Sequence, residues 1–198
     1  MQLNRNLEIT LSPGVYEPAD DSFLLIEIMN VKKGQQMLDM GTGSGIVALH
    51  CAVAGCMVTA VDLNPDAVRC AKENALRNRL EITAVESDLF EKIRGRFDII
   101  AFNPPYLPAD GDGADDRAWT GGKTGHELFA KFLAGAKSHL ADGGVVYGIA
   151  TSIAFPGGKF EGLRDCGYSV EIISGRKSFF EELYGLRMKV MPTVEIPV

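Results

Sequence analysis

Short apolar runs alternate with segments of helical period along this 198-residue chain, and four successive runs end in a polar group able to meet a ligand. The runs are Gln36–Met40, Val58–Leu63, Ile82–Ser87 and Phe97–Phe102, then Val145–Ala150, Val170–Ser174 and Leu186–Met191. Between them, helical character is expected over Ile46–Ala54, Pro65–Asn78, Gly125–Leu140 and Gly157–Cys166, with a short helix at Ser178–Tyr184. Ala19–Asn30 adds one more, ahead of the first run, through Phe23, Leu24, Ile26 and Ile28. Strands alternating with helices of this length imply right-handed crossovers, so the fold class is α/β with a mostly parallel sheet. The last two runs stand close together and suit an antiparallel edge pair.

The ends of the runs carry the chemistry. The first closes on Asp39-Met40-Gly41-Thr42-Gly43-Ser44-Gly45, where glycines permit a tight turn and close backbone approach at a helix N-terminus. Position 46 is Ile, so the turn does not match the dinucleotide-binding glycine pattern. The second ends on Asp62, 17 positions after Gly45, near the spacing of an acid that binds a ribose diol. Asp62 or Asn64 can also cap the helix that Pro65 begins, and both roles hold together if Asn64 caps. The third ends on Asp88, a turn residue or an acceptor for an adenine amino group. The fourth ends on Asn103-Pro104-Pro105-Tyr106. Each proline fixes its own φ and biases the preceding residue toward an extended conformation, which leaves the Asn103 amide and nearby carbonyls free to accept hydrogen bonds. Strand-end acids suit a ligand with an amine, a ribose and an adenine, and suit phosphates badly.

Several other chemistries drop out. The formal net charge of −6 disfavours a broad, sequence-independent nucleic-acid footprint, and Arg164, Arg176 and Lys177 read as a solvated surface. His50 and His139 sit in helical segments and His126 near a helix start, without the second histidine of a zinc-protease motif. Gly122-Lys123-Thr124 lacks the first glycine of a phosphate-binding loop, because position 117 is Arg. Asp110–Asp116 lacks the glycine and terminal glutamate of a calcium loop. Cys51, Cys56, Cys70 and Cys166 form no Cys-x-x-Cys pair and are expected as reduced thiols, so no metal site is expected. No apolar stretch reaches membrane-spanning length and the first residues lack a signal core, so a cytoplasmic location is expected.

Taken together, these elements resemble a class I S-adenosylmethionine-dependent methyltransferase, and among those the HemK-type release-factor glutamine methyltransferases. Val15–Leu25 is similar to the element preceding the fold in the compact archaeal and eukaryotic branch, and Ala118–Gly125 resembles that branch's Gly-rich segment after the Asn-Pro-Pro-Tyr motif. The resemblance implies one Rossmann-like domain over residues 1–198, with a seven-stranded sheet, helices on both faces and an antiparallel last strand. Residues 1–30 would cap the cofactor. Asp39 and Gly41 would line the methionine side, Asp62 the ribose and Asp88 the adenine, with Gly43 also binding the cofactor and Ser22 closing over the ligand. Ser22 stands where Thr is common in the family.

Asn103, Pro104, Pro105 and Tyr106 would form the catalytic element, with Asn103 also beside the cofactor. An amide nitrogen is a poor nucleophile, so the site must orient its lone pair by accepting its N–H groups. The Asn103 oxygen and the Pro104 carbonyl serve that end, with Tyr106 packing on the amide plane. The acceptor implied is the glutamine of a Gly-Gly-Gln loop in a class I release factor. A small zinc-binding activator subunit is implied as partner, with an apolar edge near the second and third strands as its candidate surface. The same tetrad also serves exocyclic amines of adenine or guanine in RNA or DNA, and a cofactor-binding protein without catalysis is a third reading. Pro108–Lys123, rich in Gly and Asp, is expected as a substrate-facing loop.

Overall fold

The computed structural model describes residues 1–105, 127–177 and 181–192. Seven strands form one sheet: β1 (Gln36–Met40), β2 (Met57–Asp62), β3 (Thr83–Glu86), β4 (Phe97–Phe102), β5 (Leu140–Thr151), β6 (Tyr168–Lys177) and β7 (Glu182–Val190). Their order is β3-β2-β1-β4-β5-β7-β6. The pairs joining β1 through β5 are parallel, and β7 runs antiparallel to both β5 and β6. The expected architecture is therefore present, with the last strand inserted between β5 and the edge strand β6.

Successive side chains on a strand point to opposite faces, so a continuous apolar run implies cover on both. Leu38, Ile100 and Val146 pack with Phe129, Phe132 and Leu133 of α4 (Glu127–His139) and Leu163 of α5 (Glu161–Asp165). Their neighbours Met37 and Ile99 pack on the other face with Leu24 and Leu25 of α1 (Asp20–Ile28) and Val47 and Ala48 of α2 (Ile46–Val53). Leu38 and Ile100 are fully buried, and removing such a side chain to Ala costs about 2–5 kcal/mol.

The helix α3 (Pro65–Arg77) starts as its sequence demands. Asn64 is the cap, its Oδ1 accepting from Asp66 N at 2.9 Å, and Pro65 occupies the first helical position. Two expected helices differ from the structure. Gly157 and Gly158 take positive φ, so the segment read as Gly157–Cys166 contains only a short 3₁₀ turn at Pro156–Gly158 and then α5. In place of a helix over Ser178–Tyr184, Glu182, Leu183 and Tyr184 open β7, and residues 178–180 lie outside the described set. There Leu183 pairs with Thr151 on one side and Arg176 on the other, and two-sided pairing overrides a weak local helical preference. Among the described residues no helix is long and apolar enough to cross a membrane.

Candidate active site

The chain runs outward from β1 to β3, then returns to β4 on the other side of β1, which puts the topological switch point between β1 and β4. Open α/β sheets bind ligands at the carboxyl ends of the strands beside such a point. A cavity of about 720 Å³ lies there, lined by Asp39, Gly41 and Gly43 after β1, Asp62 and Asn64 after β2, and Asn103, Pro104 and Pro105 after β4. Tyr16, Asp21 and Ser22 close it from the amino-terminal side, and Glu181 and Leu183 from the start of β7.

Asp39 is 2% exposed, and its Oδ2 accepts from Thr42 Oγ1 at 2.7 Å and from Ala48 N at 3.2 Å. Burial raises its pKa from 3.8 to about 7 against the pull of those two donors, and the nearby Asp62 adds to the rise. Asp62 accepts from Gly43 N at 2.9 Å on Oδ2 and from Asn64 N at 2.9 Å on Oδ1. Burial raises its pKa as well, and the backbone donors oppose that. The Asp62 carboxylate thus ties the glycine turn to the second strand while facing the cavity. Gly41, Gly43 and Gly45 all have positive φ. A Cβ on Gly43 would meet open space, while one on Gly45 would approach Ala71 Cα to 3.0 Å. Gly43 opens the turn to a ligand and Gly45 lets α2 pack against α3.

Asn103 emerges from β4 between buried neighbours, with Phe102 packed on Phe132 at a centroid distance of 4.4 Å. Its Oδ1 is buried and has no donor among the described residues. A buried acceptor left without a partner costs about 1–3 kcal/mol, a cost that a ligand N–H facing it removes. Glu181 Oε2 is the other buried side-chain acceptor without a donor among the described residues, and burial raises the pKa of its carboxyl.

Ser22, Asp39, Gly41, Gly43, Asp62, Asn103, Pro104 and Pro105 come together on this wall as the sequence suggests. Asp88 does not line it. Its side chain is 43% exposed and 3.5 Å from Lys131 Nζ, because the chain turns away after β3 with Leu89 at positive φ. Tyr106, His126 and the Pro108–Lys123 loop lie outside the described residues. The sequence reading missed Tyr16, Asp21 and Glu181. Tyr16 Oη donates to Asp21 Oδ2 at 3.0 Å, and Asp21 Oδ1 accepts from Ser22 N at 2.6 Å, which orients the first turn of α1 toward the cavity. An aromatic five residues ahead of a buried acid was the only available signal. Nothing local marks Glu181, which depends on the long-range pairing of β5 with β7.

The lining fits an adenosine-linked amino acid: acids facing the cavity, an open glycine turn, and no cluster of basic side chains among the described residues of the wall. Comparison with known proteins agrees. The methyltransferase small domain family matches residues 6–155. A Methanocaldococcus jannaschii relative, whose name provisionally assigns it as a protein N5-glutamine methyltransferase, is 41% identical over 182 residues, covering 89% of this chain and 92% of its own. The E. cuniculi Mtq2-Trm112 complex, responsible for methylation of the eRF1 translation termination factor, has a chain with TM-score 0.71 at 24% identity, covering 89% of this chain and 98% of that one. The T. thermophilus 16S rRNA N2 G1207 methyltransferase with AdoMet and guanosine aligns with TM-score 0.69 at 24% identity, over 90% of this chain and 46% of that one. This chain therefore belongs to the methyltransferase small domain family and is an S-adenosylmethionine-dependent methyltransferase.

Proposed function

We propose that this enzyme methylates the side-chain amide nitrogen of the glutamine in the Gly-Gly-Gln loop of a class I release factor. The observation that carries the reading is the donorless Asn103 Oδ1, buried at the end of β4 on the wall of the cofactor cavity. When bound, S-adenosylmethionine supplies an electrophilic methyl. The chain's own residues do the rest. Asn103 Oδ1 and the Pro104 carbonyl accept the two amide N–H groups of the glutamine, which fixes the nitrogen and aims its lone pair at the sulfonium methyl. Such preorganised acceptors on a rigid strand end contribute several kcal/mol by positioning and electrostatics. Tyr106 takes the face of the amide plane.

On the cofactor side, Asp39, Gly41 and Gly43 hold the methionine end, Asp62 accepts from the ribose hydroxyls, and Ser22 with the rest of residues 1–30 closes the site. The name of the M. jannaschii relative supports the glutamine acceptor, and the E. cuniculi complex supports a termination factor as substrate and a second, activating subunit as partner; the location we assign is cytoplasmic. The open edge of β3, with Met57 exposed on neighbouring β2, Leu63 just after that strand and Leu76 on α3, is the surface we assign to that subunit. A nucleobase amine is the second reading, supported by the likeness to the rRNA enzyme. Arg176 counts against it, because that side chain pairs with Glu27 at 2.7 Å and Asp20 at 3.5 Å and is not available to a phosphate. Labelled methyl from the cofactor should appear on a Gly-Gly-Gln release factor and be lost when that glutamine is replaced. Label in tRNA or rRNA alone would overturn the glutamine assignment.

A further inference from the structure

Asn74 and Asn78 stand one helical turn apart on the α3 side and line no part of the cavity, yet both hold the amino-terminal segment in place. Asn78 Oδ1 accepts from Glu8 N at 2.9 Å, and its Nδ2 donates to Glu8 O at 2.8 Å. Asn74 does the same two residues on, accepting from Thr10 N at 2.9 Å and donating to Thr10 O at 2.9 Å. Two residues of extended chain rise about 6.6 Å and four residues of helix about 6 Å, so the amides of an i, i+4 pair match alternate peptides of a strand. The pairing reads backbone only, as a neighbouring strand would.

Asn74 makes one bond more. It is 1% exposed, and its Nδ2 also donates to Ser44 O at 2.9 Å, in the glycine turn that lines the cavity. Thr10 N needs an acceptor, which fixes the amide orientation and leaves both Nδ2 hydrogens committed. Beyond Thr10, only Leu11, Ser12 and Pro13 intervene before Gly14, which lines the cavity together with Val15, Tyr16 and Pro18. Asn64 Nδ2 fastens Gly14 O at 3.1 Å. At its other end the segment is held by the Met1 ammonium on Glu27 O at 2.8 Å and Met29 O at 2.7 Å, and by Asn4 N on His50 Nε2 at 3.0 Å.

We propose that Asn74 and Asn78 are positioning residues for the cofactor: they latch the strap of residues 1–14 to the glycine turn, so that closing the strap and binding S-adenosylmethionine are one coupled equilibrium. The proposal rests on the cofactor assignment alone and holds for either methyl acceptor. Coupling is reciprocal, so whatever the closed strap adds to cofactor affinity the cofactor adds to the closed strap.

The test is hydrogen exchange at the Glu8 and Thr10 amides with and without saturating S-adenosylhomocysteine, run beside calorimetric titration of the same ligand. The expected result is slowing by about tenfold, the size of an ordinary coupling between sites. Asn78→Ala removes the outer rung without touching the glycine turn. It should raise KM for S-adenosylmethionine by roughly fivefold, leave kcat at saturation unchanged, and abolish the ligand-dependent slowing. Calorimetric binding with unchanged exchange at Glu8 and Thr10 would overturn the coupling and leave the cofactor assignment standing. A lowered melting temperature in Asn78→Ala with no change in KM would also overturn it, since the ladder would then be a strut. Failure of S-adenosylhomocysteine to bind the wild-type chain would sink the cofactor assignment, and the coupling with it.

Discussion

Asn103 and Asp62 face the same cavity, but their surroundings give them opposite expected phenotypes. Asn103 Oδ1 bonds to nothing among the described residues, so truncating it removes no hydrogen bond within them. Asn103→Ala should lower the single-turnover rate roughly 10²–10³-fold, the range for losing one preorganised acceptor, with cofactor affinity held within about threefold. Loss of binding along with turnover would make Asn103 a structural residue. Asp62 holds Gly43 N and Asn64 N, so Asp62→Ala frees the glycine turn as well as removing the acceptor proposed for the ribose. Its S-adenosylhomocysteine affinity should fall by tenfold or more, on the order of the 1.5–3 kcal/mol of a charge-assisted bond, with far less effect on the rate at saturation. Asp88→Ala is the control. With its carboxylate exposed beside Lys131, calorimetry should find affinity within about twofold of wild type, as for an exposed pair.

At the scale of elements, what could be read in advance was whatever local sequence decides. β1 and β4 fall at their expected bounds, because an apolar run beside a glycine turn or a proline pair admits little else. The Asn64 cap with Pro65 behind it marks the start of α3 just as firmly. Elements fixed by distant partners were not legible. Glu182–Tyr184 carries a helical pattern but is held as strand by β5 and β6, and Glu181 reaches the cavity only because of that pairing. The same limit hid Asn74 and Asn78, whose partners lie 64 and 70 positions away. That Asp88 lies off the cavity wall was hidden for a related reason: a strand-end acid is visible in sequence, but the direction of the following turn is not.

Gly45 joins the local and the distant. It caps α2 at φ 85°, and an added Cβ would sit 3.0 Å from Ala71 Cα and Leu49 Cδ1. Gly45→Ala should therefore destabilise the fold by about 2–4 kcal/mol, combining left-handed strain with overpacking between α2 and α3. Chemical denaturation measures it, and a change under about 0.5 kcal/mol, the size of an ordinary surface substitution, would show that the two helices separate freely.

For the whole molecule, three cavity carboxyls that burial pushes upward, Asp39, Asp62 and Glu181, give stability a definite pH dependence. An acid whose pKa is higher folded than unfolded holds more protons in the folded state, so stability falls as pH rises through the folded value. For Asp39 the window runs from 3.8 to about 7. His50 acts in the opposite sense. Burial lowers its pKa from 6.5, so the folded state prefers the neutral ring, and its contribution grows with pH until 6.5 and is constant above. The ring is neutral for a visible reason, since Nε2 accepts from Asn4 N while Nδ1 faces Ile46 O. Below pH 6.5 the two effects oppose each other; above it the carboxyls act alone. Unfolding free energy without ligand should therefore decline from pH 6.5 through about 7, by up to roughly 1.4 kcal/mol per pH unit for a single titrating group, and level off above. Asp39→Asn should flatten most of that decline while leaving Thr42 and Ala48 an oxygen to bond. A cationic ligand group brought beside Asp39 draws its proton off, so cofactor binding near pH 7 should release a fraction of a proton, read by calorimetry in two buffers of different ionisation enthalpy. A wild-type profile that stays flat from pH 6.5 to 8, with no proton released on binding, would mean that Asp39 is already ionised in the empty site and that water, not the ligand, compensates its charge.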